Sequence, residues 1–176
     1  MSVEETNIYL VGMPGAGKTT VGRQLARRLR RTFIDADHEI EARTGVKIPV
    51  IFEIEGESGF RDREERVIAQ LAAECGLVVA TGGGAVLREQ NRATMARSGT
   101  VIYLHVAPQL LFERTSRDSN RPLLQVPDPM KKIEELFADR DPLYREVADI
   151  VINSLGGNVG QLVRQIEREI TSRCAA

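Results

Sequence analysis

Residues 12–20 read GMPGAGKTT and fit the pattern G-x-x-x-x-G-K-S/T, which cradles nucleotide phosphates. Glycines in this pattern let backbone N–H groups turn toward phosphate oxygens, and the N-terminus of the following helix adds partial positive charge. Lys18 can reach the β- and γ-phosphates, and the Thr19 hydroxyl can ligate Mg²⁺. The spacing predicts a nucleoside triphosphate as donor but does not separate kinases from ATPases. No N-K-x-D guanine signature occurs, which argues against a GTPase.

Asp35 and Asp37 follow the apolar run at 32–34, which we expect to lie next to the first apolar run in a sheet. One interpretation is a solvated turn in which Asp37 is a helix N-cap. In the other, one carboxylate supports Mg²⁺ through water while its neighbour meets an acceptor hydroxyl, since alternate residues at a strand end face different ways. The phosphate-binding pattern upstream favours the second, because ligands bind at the carboxyl ends of parallel strands.

Arginines alternate with carboxylates at 55–67, EGESGFRDREERV. A charge run of this kind is usually a solvated helix face. The neighbouring Phe52 and Phe60 allow two interpretations. They are core residues, which is the favoured interpretation for Phe60, or they wall an apolar pocket in which one arginine pairs with a carboxylate ligand.

Two further segments carry candidate ligand contacts. Three consecutive glycines at 82–84 follow the apolar run at 77–80, where they form either a flexible turn or a place for a ligand to approach the backbone closely. The position at a predicted strand end favours the ligand. Arg140 and Arg145 flank Pro142, which predicts a local break that places Arg140 near a loop.

The elements that must position these residues follow from hydrophobic periodicity. Short apolar runs alternate with helical patterns, which is typical of a parallel sheet covered on both faces. We therefore predict an α/β fold with a five-stranded parallel sheet flanked by helices, and with the phosphate-binding loop this is a P-loop NTPase-type architecture. The segment 114–129 has three arginines, three prolines and little periodicity, so it is either a functional, mobile lid or a disordered loop. The predicted strands are 8–11, 32–34, 77–80, 101–106 and 149–152.

Size and composition limit the possible functions. The 176 residues, 42% of them hydrophobic, suffice for one domain spanning 1–176. A net charge of −1 gives no overall basic field for nucleic acid. We find no signal peptide and no apolar run near the roughly 20 residues that a membrane span needs. Cys75 and Cys174 lack metal or redox spacing, so we expect a cytoplasmic protein with reduced thiols. No extended apolar surface is evident, which favours a monomer.

In the order of its segments the chain resembles the shikimate kinases over essentially its whole length. The phosphate-binding loop is shared by many families, whereas DADHEIE, GFRDREE and TGGG together are far more specific; RDSNRPLL and RDPLY extend the match. The resemblance implies transfer of the γ-phosphoryl group of ATP to the 3-hydroxyl of shikimate, a step toward chorismate and the aromatic amino acids. It also implies a Mg²⁺ requirement and a cytoplasmic, usually monomeric enzyme.

On the donor side, the resemblance implies that Lys18 contacts phosphate, that Thr19 ligates Mg²⁺ and that Asp35 supports the metal through water. Arg121 would fold over the phosphates from the lid and contribute to catalysis with Lys18. The other residues that match ATP-binding positions of the family are Gly15, Ala16, Gly17, Thr20, Arg114 and Pro122. Gly156 and Gly157 stand where the family often has a long polar or basic side chain, so we expect backbone contacts to adenine there.

On the acceptor side, the resemblance places shikimate against the segment 35–61. Asp37 matches the aspartate that contacts the shikimate hydroxyls and is the candidate base, and Arg61 and Arg140 match the arginines that bind the carboxylate. Gly83 matches a backbone contact to shikimate. The remaining candidate substrate-binding residues are Gly82, Gly84, Phe52 and Phe60.

Two other functions compete with this interpretation. A gluconate or nucleoside monophosphate kinase has a related build, although a nucleotide acceptor needs a base-reading pocket that paired arginines do not provide. A nucleotide-sensing module without turnover would keep the phosphate cradle but lack a complete acceptor site.

Overall fold

The computed structural model describes residues 6–116 and 124–174. Within them, five parallel strands form one sheet in the order β2-β3-β1-β4-β5. The predicted fold is therefore confirmed. The strands are β1 (Asn7–Val11), β2 (Thr32–Asp35), β3 (Leu77–Ala80), β4 (Gly99–His105) and β5 (Ile150–Asn153). The helices are α1 (Lys18–Leu29), α2 (Ala36–Thr44), α3 (Ile48–Ala72), α4 (Glu89–Ser98), α5 (Pro108–Thr115), α6 (Pro129–Val147) and α7 (Val159–Cys174), with a short 3₁₀ turn at Ala85–Leu87.

The central strands β1 and β3 are buried at every residue, as expected where helices cover both faces of a parallel sheet. The expectation that the second strand lies next to the first is wrong, because β3 lies between β1 and β2. The order of the strands in a parallel sheet depends on how distant segments pack together, and the local periodicity of the sequence does not encode that order. The carboxyl ends of all the strands nevertheless share one rim, so the loops that follow β1, β2 and β3 still meet.

Two helices depart from simple expectation. α3 is interrupted at Gly56 (φ 71°, ψ 179°), a conformation open almost only to glycine. α6 continues through Pro142, so the predicted break is wrong and Arg140 lies within the helix. Proline removes one intrahelical hydrogen bond, but burial of Arg140, Tyr144 and Val147 holds α6 against the rest of the fold.

No helix among the described residues is long and apolar enough to cross a membrane. Cys75 and Cys174 are free and exposed.

Arg30 ends α1 in the left-handed conformation (φ 55°, ψ 41°) with an exposed side chain. This conformation costs a non-glycine residue about 1–2 kcal/mol, of which the greater unfolded-state freedom of glycine offsets about 0.4–1 kcal/mol. We expect Arg30→Gly to raise the free energy of unfolding by about 0.5 kcal/mol in urea titrations. The matched control, Arg27→Gly, places glycine inside the exposed face of the same helix and should lower it by about 1 kcal/mol. Equal effects of the two substitutions would contradict this account.

Candidate active site

The phosphate-binding loop joins β1 to α1 at the centre of the sheet. Gly17 precedes α1 with φ 90°, and Gly15 has φ 86° and packs so tightly that a Cβ there would lie 2.6 Å from Thr115 Cγ2. Lys18 Nζ donates hydrogen bonds to the carbonyl oxygens of Gly12 (2.7 Å) and Met13 (2.9 Å). The loop thus holds the ammonium group beside the space that the phosphates would take.

Asp35 and Thr19 bring two oxygen groups together beside this loop. Thr19 Oγ1 donates a hydrogen bond to Asp35 Oδ2 at 2.7 Å. Asp35 Oδ1 accepts bonds from the backbone N–H groups of Asp37 (3.0 Å) and His38 (3.2 Å) and so caps α2. The interpretation of Asp37 as the N-cap is therefore wrong. Asp35 takes this role because its backbone is extended while Asp37 is already helical.

This pair of oxygen groups fits a Mg²⁺ ion that arrives with a nucleotide. Hydroxyl and carboxylate oxygens are ligands that Mg²⁺ prefers, and the ion keeps several waters while taking others from phosphate. Among the described residues no group of three His, Cys, Asp or Glu side chains could hold a metal by itself. A metal at Thr19 and Asp35 would therefore depend on the nucleotide for its remaining ligands.

Asp37 lies in the first turn of α2 with its Oδ1 buried and without a hydrogen-bond partner. Burial raises the pKa of this carboxyl, and the charge of Asp35 adds to the effect, while Lys18 and Arg61 oppose it. A Cβ at Gly82 would lie 2.8 Å from Asp37 Oδ1, so the carboxylate reaches over bare glycine backbone. An unpaired, desolvated carboxylate beside a phosphate site is suited to accept a proton or a hydroxyl hydrogen bond.

Arg61 and Glu64 form a buried ion pair on α3, 7% and 1% exposed. Arg61 Nη1 donates to Glu64 Oε1 at 2.8 Å and Nη2 to Glu57 Oε1 at 3.3 Å, while the buried Nε has no partner. Glu64 Oε2 also lacks a partner, and burial raises the pKa of this carboxyl despite Arg61. A Cβ at Gly84 would overlap the guanidinium, so glycine there leaves room for Arg61.

Phe52 and Phe60 pack against each other, with their ring centroids 4.7 Å apart. Phe60 is buried in the core, as the favoured interpretation predicted, and Arg61 Cζ lies 5.2 Å from its ring centroid. Phe52 is only partly buried. Of the two rings, Phe60 is therefore the one that packs against the guanidinium.

The glycine loop after β3 is held from two sides. The Tyr144 hydroxyl of α6 donates a hydrogen bond to the Gly83 carbonyl oxygen, and a Cβ at Gly83 would lie 2.6 Å from Pro14 Cδ in the phosphate-binding loop. Arg140, 4% exposed, lies one helical turn before Tyr144, bonds to its hydroxyl and acts electrostatically on Glu64. Burial raises the pKa of Tyr144, so the hydroxyl stays a donor.

Sequence reasoning missed Glu64 and Tyr144. Glu64 stood in a charge run interpreted as a solvated face, although its i,i+3 spacing from Arg61 was a usable signal. Tyr144 is likewise four residues after Arg140. Glu64 and Tyr144 are identified as neighbours of the site by their burial in the structure, and the pattern of charges in the sequence does not indicate which residues are buried.

Several residues predicted to bind ATP are either exposed or not described by the structure. Arg114 lies exposed in the last turn of α5, and Thr20 is also exposed. Arg121 and Pro122 lie outside the described residues, as do all of residues 117–123 of the predicted lid. Arg145 pairs with Asp141, and the 153–158 loop borders a surface pocket of about 480 Å³ beside α7.

The arrangement combines a phosphate cradle with a second, adjoining set of groups around Gly82, Gly83 and Gly84. That set contains two buried arginines and a desolvated aspartate, which together suit a small anion bearing a hydroxyl group. Direct packing of Pro14 on Gly83 joins the two halves. Such a geometry can carry a phosphoryl group from nucleotide to hydroxyl.

Known proteins are similar to this chain in sequence and fold. The family model described as shikimate kinase matches residues 14–171. A shikimate kinase from Aromatoleum aromaticum is 60% identical over 163 residues, covering 93% of each chain. The solved shikimate kinase from Acinetobacter baumannii in complex with shikimate has a TM-score of 0.93 at 52% identity, covering 96% of this chain and 94% of that one. The Bacteroides thetaiotaomicron shikimate kinase has a TM-score of 0.88 at 32% identity, covering 95% and 99%.

Proposed function

The chain belongs to the shikimate kinase family, and we propose for it the corresponding reaction. It transfers the γ-phosphoryl group of ATP to the 3-hydroxyl of shikimate, giving shikimate 3-phosphate and ADP on the route to chorismate and the aromatic amino acids. The observation that carries the proposal is the meeting of Asp37, Arg61 and Arg140 around the glycine loop beside the phosphate cradle.

Arg61 and Arg140 anchor the shikimate carboxylate. Arginine forms bidentate pairs with carboxylates, and both guanidinium groups are buried where water competes least. The Nε of Arg61 is an unused buried donor, so an incoming carboxylate supplies an acceptor that the protein itself does not provide. Glu64 keeps one edge of Arg61 occupied and thereby fixes which edge faces the substrate.

Asp37 receives the acceptor hydroxyl. Its buried Oδ1 lies over Gly82, so the hydroxyl hydrogen bond satisfies an otherwise unpaired oxygen and aims the nucleophile at the γ-phosphoryl group. A raised pKa suits the carboxylate to take the hydroxyl proton as the new P–O bond forms. The Gly82, Gly83 and Gly84 backbone lines the same side of the acceptor.

On the donor side, residues 15–20 hold the ATP phosphates with Lys18 as the cation nearest the transferred group. Phosphoryl transfer through a loose transition state depends mainly on positioning and charge stabilisation. Thr19 and, through water, Asp35 would hold Mg²⁺, which would neutralise charge on the β- and γ-phosphates. By resemblance to the family, Arg121 would add positive charge near the phosphates, and Arg114 and Pro122 would contact adenine.

We also propose that the enzyme is a cytoplasmic monomer with one kinase domain. Membership of the shikimate kinase family supports this location.

One assay tests the acceptor directly. ADP release is measured with shikimate, gluconate and nucleoside monophosphates offered separately, and the phosphorylated carbon of the product is identified by NMR. We expect turnover with shikimate and phosphate on its 3-hydroxyl. Faster turnover with gluconate or a nucleotide would contradict the proposed acceptor. ATP binding without turnover on any acceptor would identify a nucleotide-binding module instead.

A further inference from the structure

Tyr103, Asp141 and Arg145 form a hydrogen-bonded cluster between β4 and α6, outside the residues proposed to touch substrate. The Tyr103 hydroxyl donates to Asp141 Oδ1 at 2.7 Å, and Arg145 Nε donates to Asp141 Oδ2 at 2.9 Å. The side chain of Tyr103 is fully buried, whereas Arg145 is half-exposed. The Tyr103 bond is therefore the better shielded of the two, and it is the one that joins α6 to the sheet, since Asp141 and Arg145 both lie on α6.

The cluster adjoins the acceptor site through α6. Asp141 directly follows Arg140, and the ring centroids of Tyr103 and Tyr144 lie 4.9 Å apart. Tyr144 in turn donates its hydroxyl hydrogen bond to Gly83. One short stretch of helix thus carries two groups of the acceptor site and the carboxylate that binds it to the sheet.

Pro142 makes this stretch of α6 dependent on outside support. Proline has no backbone N–H, so the carbonyl of Ala138 lacks its usual intrahelical donor, and the ring crowds the preceding turn. Arg140 lies between these two positions. The backbone around Arg140 consequently lacks one intrahelical hydrogen bond, and the bond from Tyr103 on β4 to Asp141 joins this part of α6 to the sheet.

We propose that Tyr103 and Asp141 are positioning residues for the acceptor, because their hydrogen bond holds α6 in the orientation that aims Arg140 and Tyr144 at the shikimate site. The proposal rests on the carboxylate-binding role proposed above for Arg140. β4 pairs with β1, whose end forms the phosphate-binding loop. The Tyr103–Asp141 bond therefore attaches the helix that carries Arg140 to the same sheet that positions the phosphate-binding loop.

The charge state of Asp141 agrees with this role. Although partial burial opposes it, hydrogen bonds from Tyr103 and Arg145 lower the pKa of Asp141. The carboxylate thus remains a charged acceptor near neutral pH. His105 also lowers the pKa of Asp141 through its electrostatic effect.

Steady-state kinetics of Tyr103→Phe tests the proposal, since this change removes the hydroxyl and keeps the ring. We expect the KM for shikimate to rise by about tenfold, while the KM for ATP stays within about twofold of wild type. Tyr9→Phe is the matched control. It also removes a hydroxyl from a fully buried tyrosine of the sheet, one bonded to Ser98 at 2.7 Å. It should lower thermal stability to a similar degree without moving either KM.

Conservative rescue and a double-mutant cycle separate positioning from general destabilisation. Asp141→Asn retains an oxygen acceptor for Tyr103 and should keep the shikimate KM nearer to wild type than Asp141→Ala does. In an Arg140→Ala background, Tyr103→Phe should raise the shikimate KM by a smaller factor than it does alone, because one of the two groups that it positions is gone.

The outcomes distinguish the possible failures. An unchanged shikimate KM in Tyr103→Phe, or equal increases in the KM values for shikimate and ATP, overturns the positioning role while leaving the kinase assignment intact. A full additive effect in the Arg140→Ala background also overturns it. If Arg140→Ala alone leaves the shikimate KM unchanged, the proposed anchor fails, and the inference fails with it. Absence of shikimate phosphorylation by the wild-type enzyme would instead refute the proposed reaction.

Discussion

Asp37→Asn is expected to lower kcat for shikimate phosphorylation by about 10²–10⁴-fold, the usual contribution of a general base. Asparagine keeps the shape of the side chain and can still accept a hydrogen bond, but it cannot take the hydroxyl proton. The measurement is ADP release under saturating ATP and shikimate. Asp139→Asn, the same chemical change at an exposed position of α6, is the control and should leave kcat unchanged.

Thermal unfolding of the same variant shows whether lost activity reflects lost structure. Because the pKa of Asp37 is raised in the folded state, charging this group costs stability as pH rises from its ordinary value of 3.8 through the folded-state value. The neutral amide avoids that cost, so Asp37→Asn should be at least as stable as wild type at pH 7 and should lose this advantage below pH 3.8. If kcat and the KM for shikimate were both unchanged, Asp37 would have no part in the reaction.

Arg61→Ala is expected to raise the KM for shikimate by about 10²-fold with the KM for ATP unchanged. Hydrogen bonds to charged groups contribute about 1.5–3 kcal/mol each, and 1.4 kcal/mol corresponds to a factor of ten. Arg63→Ala is the matched control. Arg63 lies on the same helix but binds Glu55 at the surface, so its loss should leave both KM values unaltered.

The methyl ester of shikimate sharpens this experiment, because it keeps the hydroxyls and lacks the carboxylate charge. The wild-type protein should have a lower KM for shikimate than for the methyl ester. The ratio of these two KM values should be closer to one in Arg61→Ala. If the KM values for ATP and shikimate were both unaltered in Arg61→Ala, the ion pair of Arg61 with Glu64 would have a structural role only.

Stability is the main confounding effect in Arg61→Ala, since the change leaves Glu64 buried without its partner. Breaking a buried pair in this way costs about 3–5 kcal/mol. Arg61→Lys provides a second variant, because lysine retains a cation for Glu64 and lacks the planar fork that binds carboxylate bidentately. We expect a smaller loss of stability in the lysine variant, with the shikimate KM still raised.

The sequence alone was sufficient for the features that depend on local order. The strand runs, the phosphate-binding loop and the following amphipathic helix are short-range patterns, and each is present in the fold. The same holds for the glycines at the end of β3, because a strand end and three small residues are adjacent in the chain. Resemblance added the roles of Asp37, Arg61 and Arg140, which spacing alone left open.

Only the tertiary structure decided what depends on distant segments coming together. It placed β3 between β1 and β2, so that β2 does not pair with β1. It also kept α6 helical through Pro142, so that Arg140 is buried. In each case the deciding energy is burial or hydrogen bonding between elements far apart in sequence, and such energies leave no periodic trace in the local residue pattern.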